Sequence, residues 1–257
     1  MSMTEKILPI SGEIFDVDGH KAFLITPSKR LSTDSVPWVW YAPTLPGLPG
    51  AEERWMFQKF LDVGIAIAGI DIGESYGCPK GRAIFSVFYR ELIHKQKFSK
   101  KPCLLARSRG GLMLYNWAVE NPLSVSCIAG IYPVCNLQSY TDLKEACTSY
   151  EMTEEQLLSK HNPIDRLEPL AKANVPIFHI NGDSDTVVPL ETNSGELLKR
   201  YHQLGGMMTL RVVNGQGHNM WPGWFQCREL IDFVIRHAGI DTSCQSIPGN
   251  ESTCTEL

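Results

Sequence analysis

The sequence lacks any apolar run near the ~20 residues that cross a bilayer. It also lacks a basic cluster, and its formal net charge at pH 7 is only -4. We therefore expect no membrane span, and neither nucleic acid nor an anionic membrane surface as a partner. Residues 1–10 do not have the basic start and apolar block of a secretory signal, so we expect a cytoplasmic protein.

The eight cysteines also lack a pattern. None stands in C-x-x-C or Cys/His ligand spacing, so we predict no metal site and no cofactor. Cys103 and Cys127 lie in apolar runs and are expected to be buried thiols. Cys244 and Cys254 lie in a polar tail, where they would pair only in an oxidising compartment.

Short apolar runs alternate with helical patterns, which indicates an α/β fold whose mostly parallel sheet is covered on both faces. Residues 12–18 and 20–26 flank Asp18-Gly19 and predict an antiparallel hairpin. One domain over 1–240 accounts for the pattern, with a small lid insertion at about 136–161 and a flexible tail at 241–257. Further strands are predicted at 38–42, 64–72, 102–106, 125–134, 175–180 and 208–213, and helices at 51–63, 80–97, 109–120, 163–173, 191–204 and 223–238.

Residues 101–116, KPCLLARSRGGLMLYN, predict a strand, a sharp turn and a helix around Ser108. A serine in such a turn needs small residues two places before and after it, which Ala106 and Gly110 provide. Its hydroxyl then stands beside the N–H groups of a helix N-terminus, where a developing oxyanion would be stabilised. The pattern resembles the G-x-S-x-G nucleophile elbow of the α/β-hydrolase family, with Ala106 in place of the first glycine.

A serine nucleophile needs a base, and the base needs a carboxylate. Asp183 and Asp185 both follow a late strand. Residues 182–189, GDSDTVVP, resemble the family's G-x-x-D-x-x-V-P loop, in which the aspartate three places after the glycine is the acid; that selects Asp185, with Asp183 as the alternative. His218 follows the last predicted strand in Gly-Gln-Gly-His, while His179, its main competitor, lies inside a strand and is expected in the core.

The resemblance implies an eight-stranded sheet and an oxyanion hole made of two backbone N–H groups. Arg109, the residue after the serine, would supply one. The second would come from the loop after the third strand, where Pro43 has no N–H; we favour Leu45, then Thr44.

Four residues are expected to bind substrate: Arg107, Glu74, Tyr76 and Trp221. Arg107 and Arg109 allow two interpretations. Asp71 or Glu74 would pair with one guanidinium and brace the turn. Alternatively, one arginine would hold an acidic group of the substrate.

The function expected from these motifs is a serine hydrolase that cleaves a carboxylic ester of a small or medium molecule through an acyl-enzyme. The motifs also resemble the branch with dienelactone hydrolases and the catalytic domain of prolyl oligopeptidases. A serine peptidase of the second type is therefore an alternative, and so is a non-catalytic ligand-binding protein of the same fold.

Overall fold

The computed structural model describes residues 6–28 and 35–239, in which eight strands form one sheet with helices on both faces. The predicted tail at 241–257, with Cys244 and Cys254, lies outside the described residues. In space the strands follow the order β1-β2-β4-β3-β5-β6-β7-β8. They are β1 (Glu13–Val17), β2 (His20–Ile25), β3 (Trp38–Tyr41), β4 (Ala66–Ile70), β5 (Cys103–Arg107), β6 (Cys127–Ile131), β7 (Ile177–Gly182) and β8 (Met208–Val213).

Only β2 runs against the other seven strands. β1 pairs with β2 through a tight turn in which Asp18 and Gly19 both have positive φ, at 51° and 77°. β2 is antiparallel to β4, and the remaining neighbours are parallel. The predicted hairpin and the mostly parallel eight-stranded sheet are thus confirmed.

Nine α-helices connect or flank the strands in the described residues. No helix there is both long and apolar enough to cross a membrane. A π-helical turn, Glu191–Gly195, leads into the seventh helix. The helices are α1 (Arg54–Asp62), α2 (Pro79–Lys95), α3 (Gly110–Glu120), α4 (Leu143–Tyr150), α5 (Glu154–His161), α6 (Glu168–Lys172), α7 (Glu196–Gln203), α8 (Pro222–Phe225) and α9 (Arg228–His237).

Two predicted helices are each split in two. The segment 163–173 is a 3₁₀ turn, Pro163–Asp165, that ends at Arg166 (φ -124°) and is followed by α6, whose second residue is Pro169. Pro169 has no N–H to donate to the carbonyl four residues earlier, so the helical hydrogen bonds cannot run unbroken through the segment. The segment 223–238 breaks at Cys227, whose backbone is extended and whose side chain is buried. The prediction of one continuous helix was wrong in both places.

β3 shows how the sheet divides the core. The Trp40 ring faces one side and lies 4.7 Å from the Trp117 ring of α3. The Tyr41 ring faces the other side and lies 5.8 Å from the Phe57 ring of α1. Because side chains alternate across a strand, an unbroken apolar strand requires cover on both faces.

The predicted insertion at 136–161 contains α4 and α5. Thr153 caps α5: its hydroxyl accepts from the Gln156 N–H at 3.3 Å, and the Gln156 side chain accepts from the Thr153 N–H at 3.1 Å. The insertion packs on the body in a cluster that includes Tyr76 and Leu112, and the Tyr150 hydroxyl donates to the Tyr76 carbonyl at 3.1 Å. Its function as a lid stays a prediction.

His179 lies in the core, as its mid-strand position predicts. Its Nε2 is 2.7 Å from the Tyr115 hydroxyl and its Nδ1 is 2.9 Å from the Ser194 hydroxyl. Ser194 donates its proton to Asn181 at 2.6 Å, so Nδ1 carries the ring proton and Nε2 accepts from Tyr115. Complete burial lowers the pKa of His179 to about 3.

Acid should therefore destabilise the fold through His179. The folded state leaves this ring neutral down to about pH 3, whereas an unfolded histidine takes up a proton near ~6.5. The contribution of the neutral His179 ring to the free energy of unfolding is fully present above about pH 6.5. It is lost as the pH falls towards the pKa of the folded state, and the free energy of unfolding then changes by up to about 1.4 kcal/mol per pH unit. Urea unfolding at about pH 7 and about pH 5 measures this slope.

The variant His179→Gln should show a shallower dependence of the unfolding free energy on pH. His94→Gln, at an exposed position on α2, is the control and should keep the wild-type slope. Equal slopes for wild type and His179→Gln would contradict the assignment.

Candidate active site

Ser108 stands in a strained turn between β5 and α3. Its φ is 48°, in the left-handed region that residues with a side chain rarely adopt. The Ser108 N–H donates to the Ile131 carbonyl at 3.1 Å, and the Ser108 carbonyl accepts from the Val134 N–H at 2.9 Å. Both bonds reach the end of β6, so the neighbouring strand holds the turn in its strained conformation.

The small residues around Ser108 make room for this turn. Ala106 is fully buried and pairs in register with Gly130 of β6. A Cβ at Gly110 would lie 3.2 Å from the Ala42 carbonyl oxygen, whereas a Cβ at Gly111 would lie 2.3 Å from the Val134 carbonyl oxygen. The stricter requirement for glycine is thus at Gly111, one place after the residue that the sequence analysis emphasised.

Ser108, His218 and Asp185 form one hydrogen-bonded chain. Ser108 Oγ is 2.9 Å from His218 Nε2, and His218 Nδ1 is 2.9 Å from Asp185 Oδ2. A carboxylate only accepts, so Nδ1 carries the proton and Nε2 is free to accept from the serine. Asp185 Oδ1 is held by the N–H groups of Val187 at 2.9 Å and Val188 at 2.8 Å.

Asp183 is not part of this chain. Its Oδ1 accepts from the Gly215 N–H at 2.7 Å and from the Ser184 hydroxyl at 2.9 Å. The Ser184 N–H in turn donates to the Gln216 carbonyl at 3.0 Å. These bonds tie the loop after β7 to the loop that carries His218.

Tyr132 and Asn219 complete the setting of His218, and sequence reasoning did not find them. The Tyr132 ring lies 4.3 Å from the His218 ring. Asn219 Oδ1 accepts from the Trp221 N–H and from Trp224 Nε1, both at 3.0 Å, and so fixes the chain after His218. Tyr132 directly follows the end of β6, a position that could have indicated a site residue. The predicted strand at 125–134 was too long and placed Tyr132 inside the strand.

Arg107 pairs with Glu53, a partner that the sequence did not indicate. The Glu53 side chain is fully buried, and it also accepts from the Tyr41 hydroxyl at 2.9 Å and the Gly50 N–H at 2.9 Å. Arg107 Nη2 lies 3.0 Å from Met220 Sδ, two residues after His218. The guanidinium therefore connects the end of β5 with the start of α1 and with the histidine loop.

Arg109 pairs with Glu74, one of the two carboxylates expected to pair with one of the arginines. The distance from Arg109 Nη1 to Glu74 Oε2 is 3.1 Å, in an ion pair whose angles do not make a hydrogen bond. Burial raises the pKa of Glu74, and the charge of Arg109 works against that shift. The other expected partner, Asp71, instead pairs with Lys6 at 2.6 Å.

A cavity of about 210 Å³ opens at Ser108. Its lining residues are Thr44, Leu45, Leu48, Arg107, Ser108, Arg109, Tyr132, His218, Asn219 and Met220. The lining includes Arg107 and all three predicted oxyanion-hole residues. The Arg109 N–H donates to no hydrogen bond within 6–28 and 35–239, as an oxyanion donor requires.

The other predicted substrate residues, Glu74, Tyr76 and Trp221, are not among the lining residues. Glu74 is engaged by Arg109, as above. Tyr76 packs 6.1 Å from the Tyr140 ring, within the cluster of the insertion. Trp221 packs 5.2 Å from the Trp224 ring. In the described part of the chain no group of three or more His, Cys, Asp or Glu side chains is placed to hold a metal ion.

Several solved structures are similar to this chain. A puromycin-hydrolysing peptidase of Mycobacterium tuberculosis matches with a TM-score of 0.72 and 13% identity, over 94% of this chain and 42% of that one. Est1E of Butyrivibrio proteoclasticus matches with a TM-score of 0.63 and 15% identity, over 88% of this chain and 98% of that one. A thermostable esterase matches with a TM-score of 0.64 and 13% identity, over 88% of this chain and 62% of that one. This chain has the α/β-hydrolase fold.

The α/β-hydrolase fold that the serine turn implied is thus confirmed. No protein-family model matches the sequence, and no curated protein matches it. The chain spans less than half of the mycobacterial peptidase but nearly all of Est1E. Identities this low establish the fold, and the chemistry must be argued from the site itself.

The Arg107–Glu53 pair generates a stability prediction. Arg107→Gln leaves the fully buried Glu53 carboxylate without a cation, which should lower the free energy of unfolding by about 3–5 kcal/mol in urea denaturation. The double variant Arg107→Gln/Glu53→Gln removes the stranded charge and should recover part of that loss.

Arg109→Gln is the matched control, because its partner Glu74 keeps 16% of its side chain exposed and water can solvate it. Arg109→Gln should therefore lower the free energy of unfolding by less than Arg107→Gln does. A double variant no more stable than Arg107→Gln would contradict the view that Glu53 depends on this cation.

Proposed function

We propose that this chain is a serine hydrolase that cleaves carboxylic esters of small or medium molecules through an acyl-enzyme. The observation that carries the proposal is the chain of two 2.9 Å contacts from Ser108 through His218 to Asp185, built on a strained strand-to-helix turn. A strained turn that points a hydroxyl at a correctly protonated imidazole has a chemical use and no evident packing use.

In the proposed reaction Ser108 Oγ attacks the ester carbonyl carbon while His218 Nε2 takes the serine proton. Asp185 holds the ring and stabilises the imidazolium that forms. The oxyanion is stabilised by the Arg109 N–H and by a second N–H, from Leu45 or else Thr44. His218 then gives the proton to the departing alkoxide, and the same residues, with a water as nucleophile, release the acid.

The charges around the cavity support a neutral ester. An acidic substrate would need a cation without a partner, and both Arg107 and Arg109 face a carboxylate. The two arginines are better explained as braces of the turn, which is the first of the two interpretations above.

Peptide hydrolysis is the second candidate, favoured by the similarity to a puromycin-hydrolysing peptidase. The same residues would attack an amide carbonyl, with His218 protonating the departing amine. A p-nitrophenyl ester and a p-nitroanilide of one acyl group, compared by kcat/KM, distinguish the two activities.

The nucleophile can be tested by covalent labelling. A fluorophosphonate should modify Ser108, located by peptide mass spectrometry, and Ser108→Ala should lose both the labelling and ester turnover, by about 10⁴-fold or more in kcat. Thermal unfolding should change little, because the hydroxyl makes few packing contacts. An unlabelled wild-type protein with no turnover would favour the ligand-binding alternative.

The acid can be tested with two neighbouring carboxylates. Asp185→Asn should lower kcat by about 10³–10⁴-fold, because the amide no longer orients and stabilises the protonated His218. Asp183→Asn is the matched control and should cost far less, since its bonds tie two loops together and do not touch the ring. The reverse order of the two losses would assign the acid to Asp183.

A further inference from the structure

A larger groove lies beside the Ser108 cavity, between the start of α1 and α8. Its volume is about 470 Å³, and its apolar walls are Trp55, Met220, Pro222 and Phe225. Ligand pockets in proteins commonly measure about 300–1,000 Å³. The groove is within that range and the 210 Å³ cavity at Ser108 is below it, so the cavity alone has room for only a small group.

Met220 forms the boundary between the two spaces. It is the one residue that lines both of them in the described chain, and it is 46% exposed. Its sulfur is held 3.0 Å from Arg107 Nη2. An unbranched thioether changes rotamer easily, so this partition can move without a change in the backbone.

The walls of the groove are firmly supported. The Arg107 guanidinium, which forms the ion pair with Glu53, lies 5.0 Å from the centre of the Phe225 ring. Lys59 and Arg228 lie 5.5 Å and 5.9 Å from the centre of the Trp55 ring. The ion pair that braces the serine turn therefore also braces the groove.

We propose that the groove binds a neutral aromatic group of the ester substrate, with Met220 as the residue that limits access to it from Ser108. The inference rests on the proposed function, since the ester carbonyl must lie at Ser108 while the aromatic group extends past Met220. The aromatic group would pack against the half-buried Trp55 ring and the edge of the buried Phe225 ring, and would need no charged partner.

The test compares esters that differ only in the aromatic group. Phenylbutyl acetate carries it on the alcohol side and is compared with butyl acetate; methyl 4-phenylbutyrate carries it on the acyl side and is compared with methyl butyrate, the reference in each pair being the ester without the ring. Gln58→Trp fills the groove from an exposed position of α1. It should lower the ratio of kcat/KM for one aromatic ester over the reference by about tenfold.

Two further variants keep the test decisive. Gln203→Trp, the same change at an exposed position on α7, should leave the ratio unaltered. Met220→Ala removes the partition and should raise the ratio. An unaltered ratio in both Gln58→Trp and Met220→Ala would overturn the proposal, even in a protein that hydrolyses all four esters.

A binding measurement separates this proposal from the hydrolase proposal. Calorimetric titration of the two aromatic esters into Ser108→Ala protein requires no turnover, and Gln58→Trp in that background should weaken binding by about tenfold. Binding that responds to Gln58→Trp in a chain without hydrolase activity would retain the groove as a ligand site. A change in sedimentation with Gln58→Trp, without a change in ester binding, would assign the groove to a second copy of the chain and overturn the proposal.

Discussion

The two hydrogen bonds that hold the backbone of Ser108 against the end of β6 are the constraint on which this molecule depends. They keep a residue with a side chain at a φ of 48°, a conformation of the kind that costs of order 1–3 kcal/mol and persists only where its surroundings impose it. Without them the strand would run on past Ser108 and the hydroxyl would not face His218. The close approach of Gly111 to Val134 follows from the same constraint.

The charged side chains around this turn pair with one another and stabilise its structure. Two arginines flank a residue at the N-terminal end of a helix, where cations are unfavourable. Each is offset by a carboxylate brought from another part of the chain: Glu53 for Arg107 and Glu74 for Arg109. The cavity is therefore electrically balanced although it is lined by two guanidinium groups.

The sequence was sufficient for the parts of the molecule that depend on local patterns. Strand alternation, the Asp18-Gly19 turn and the three strand-end motifs depend on neighbouring residues, and they predicted the sheet and brought Ser108, Asp185 and His218 to one place. Glu53, Tyr132 and Met220 escaped prediction because their roles arise from contacts between distant segments. The break at Cys227 escaped for a similar reason: its extended backbone accompanies burial against the sheet, which no helical pattern records.

The cross-link from Asp183 to Gly215 has a consequence for motion. Because it joins the loop after β7 to the loop after β8, the acid and the imidazole share one support and are displaced together when the edge of the sheet fluctuates. Ser108 is held by β5 and β6, one strand pair further into the same sheet. We therefore expect the distance between Asp185 and His218 to vary little with thermal motion, and the distance between His218 and Ser108 to vary more. The second distance would then determine how often the serine hydroxyl and the histidine ring are aligned.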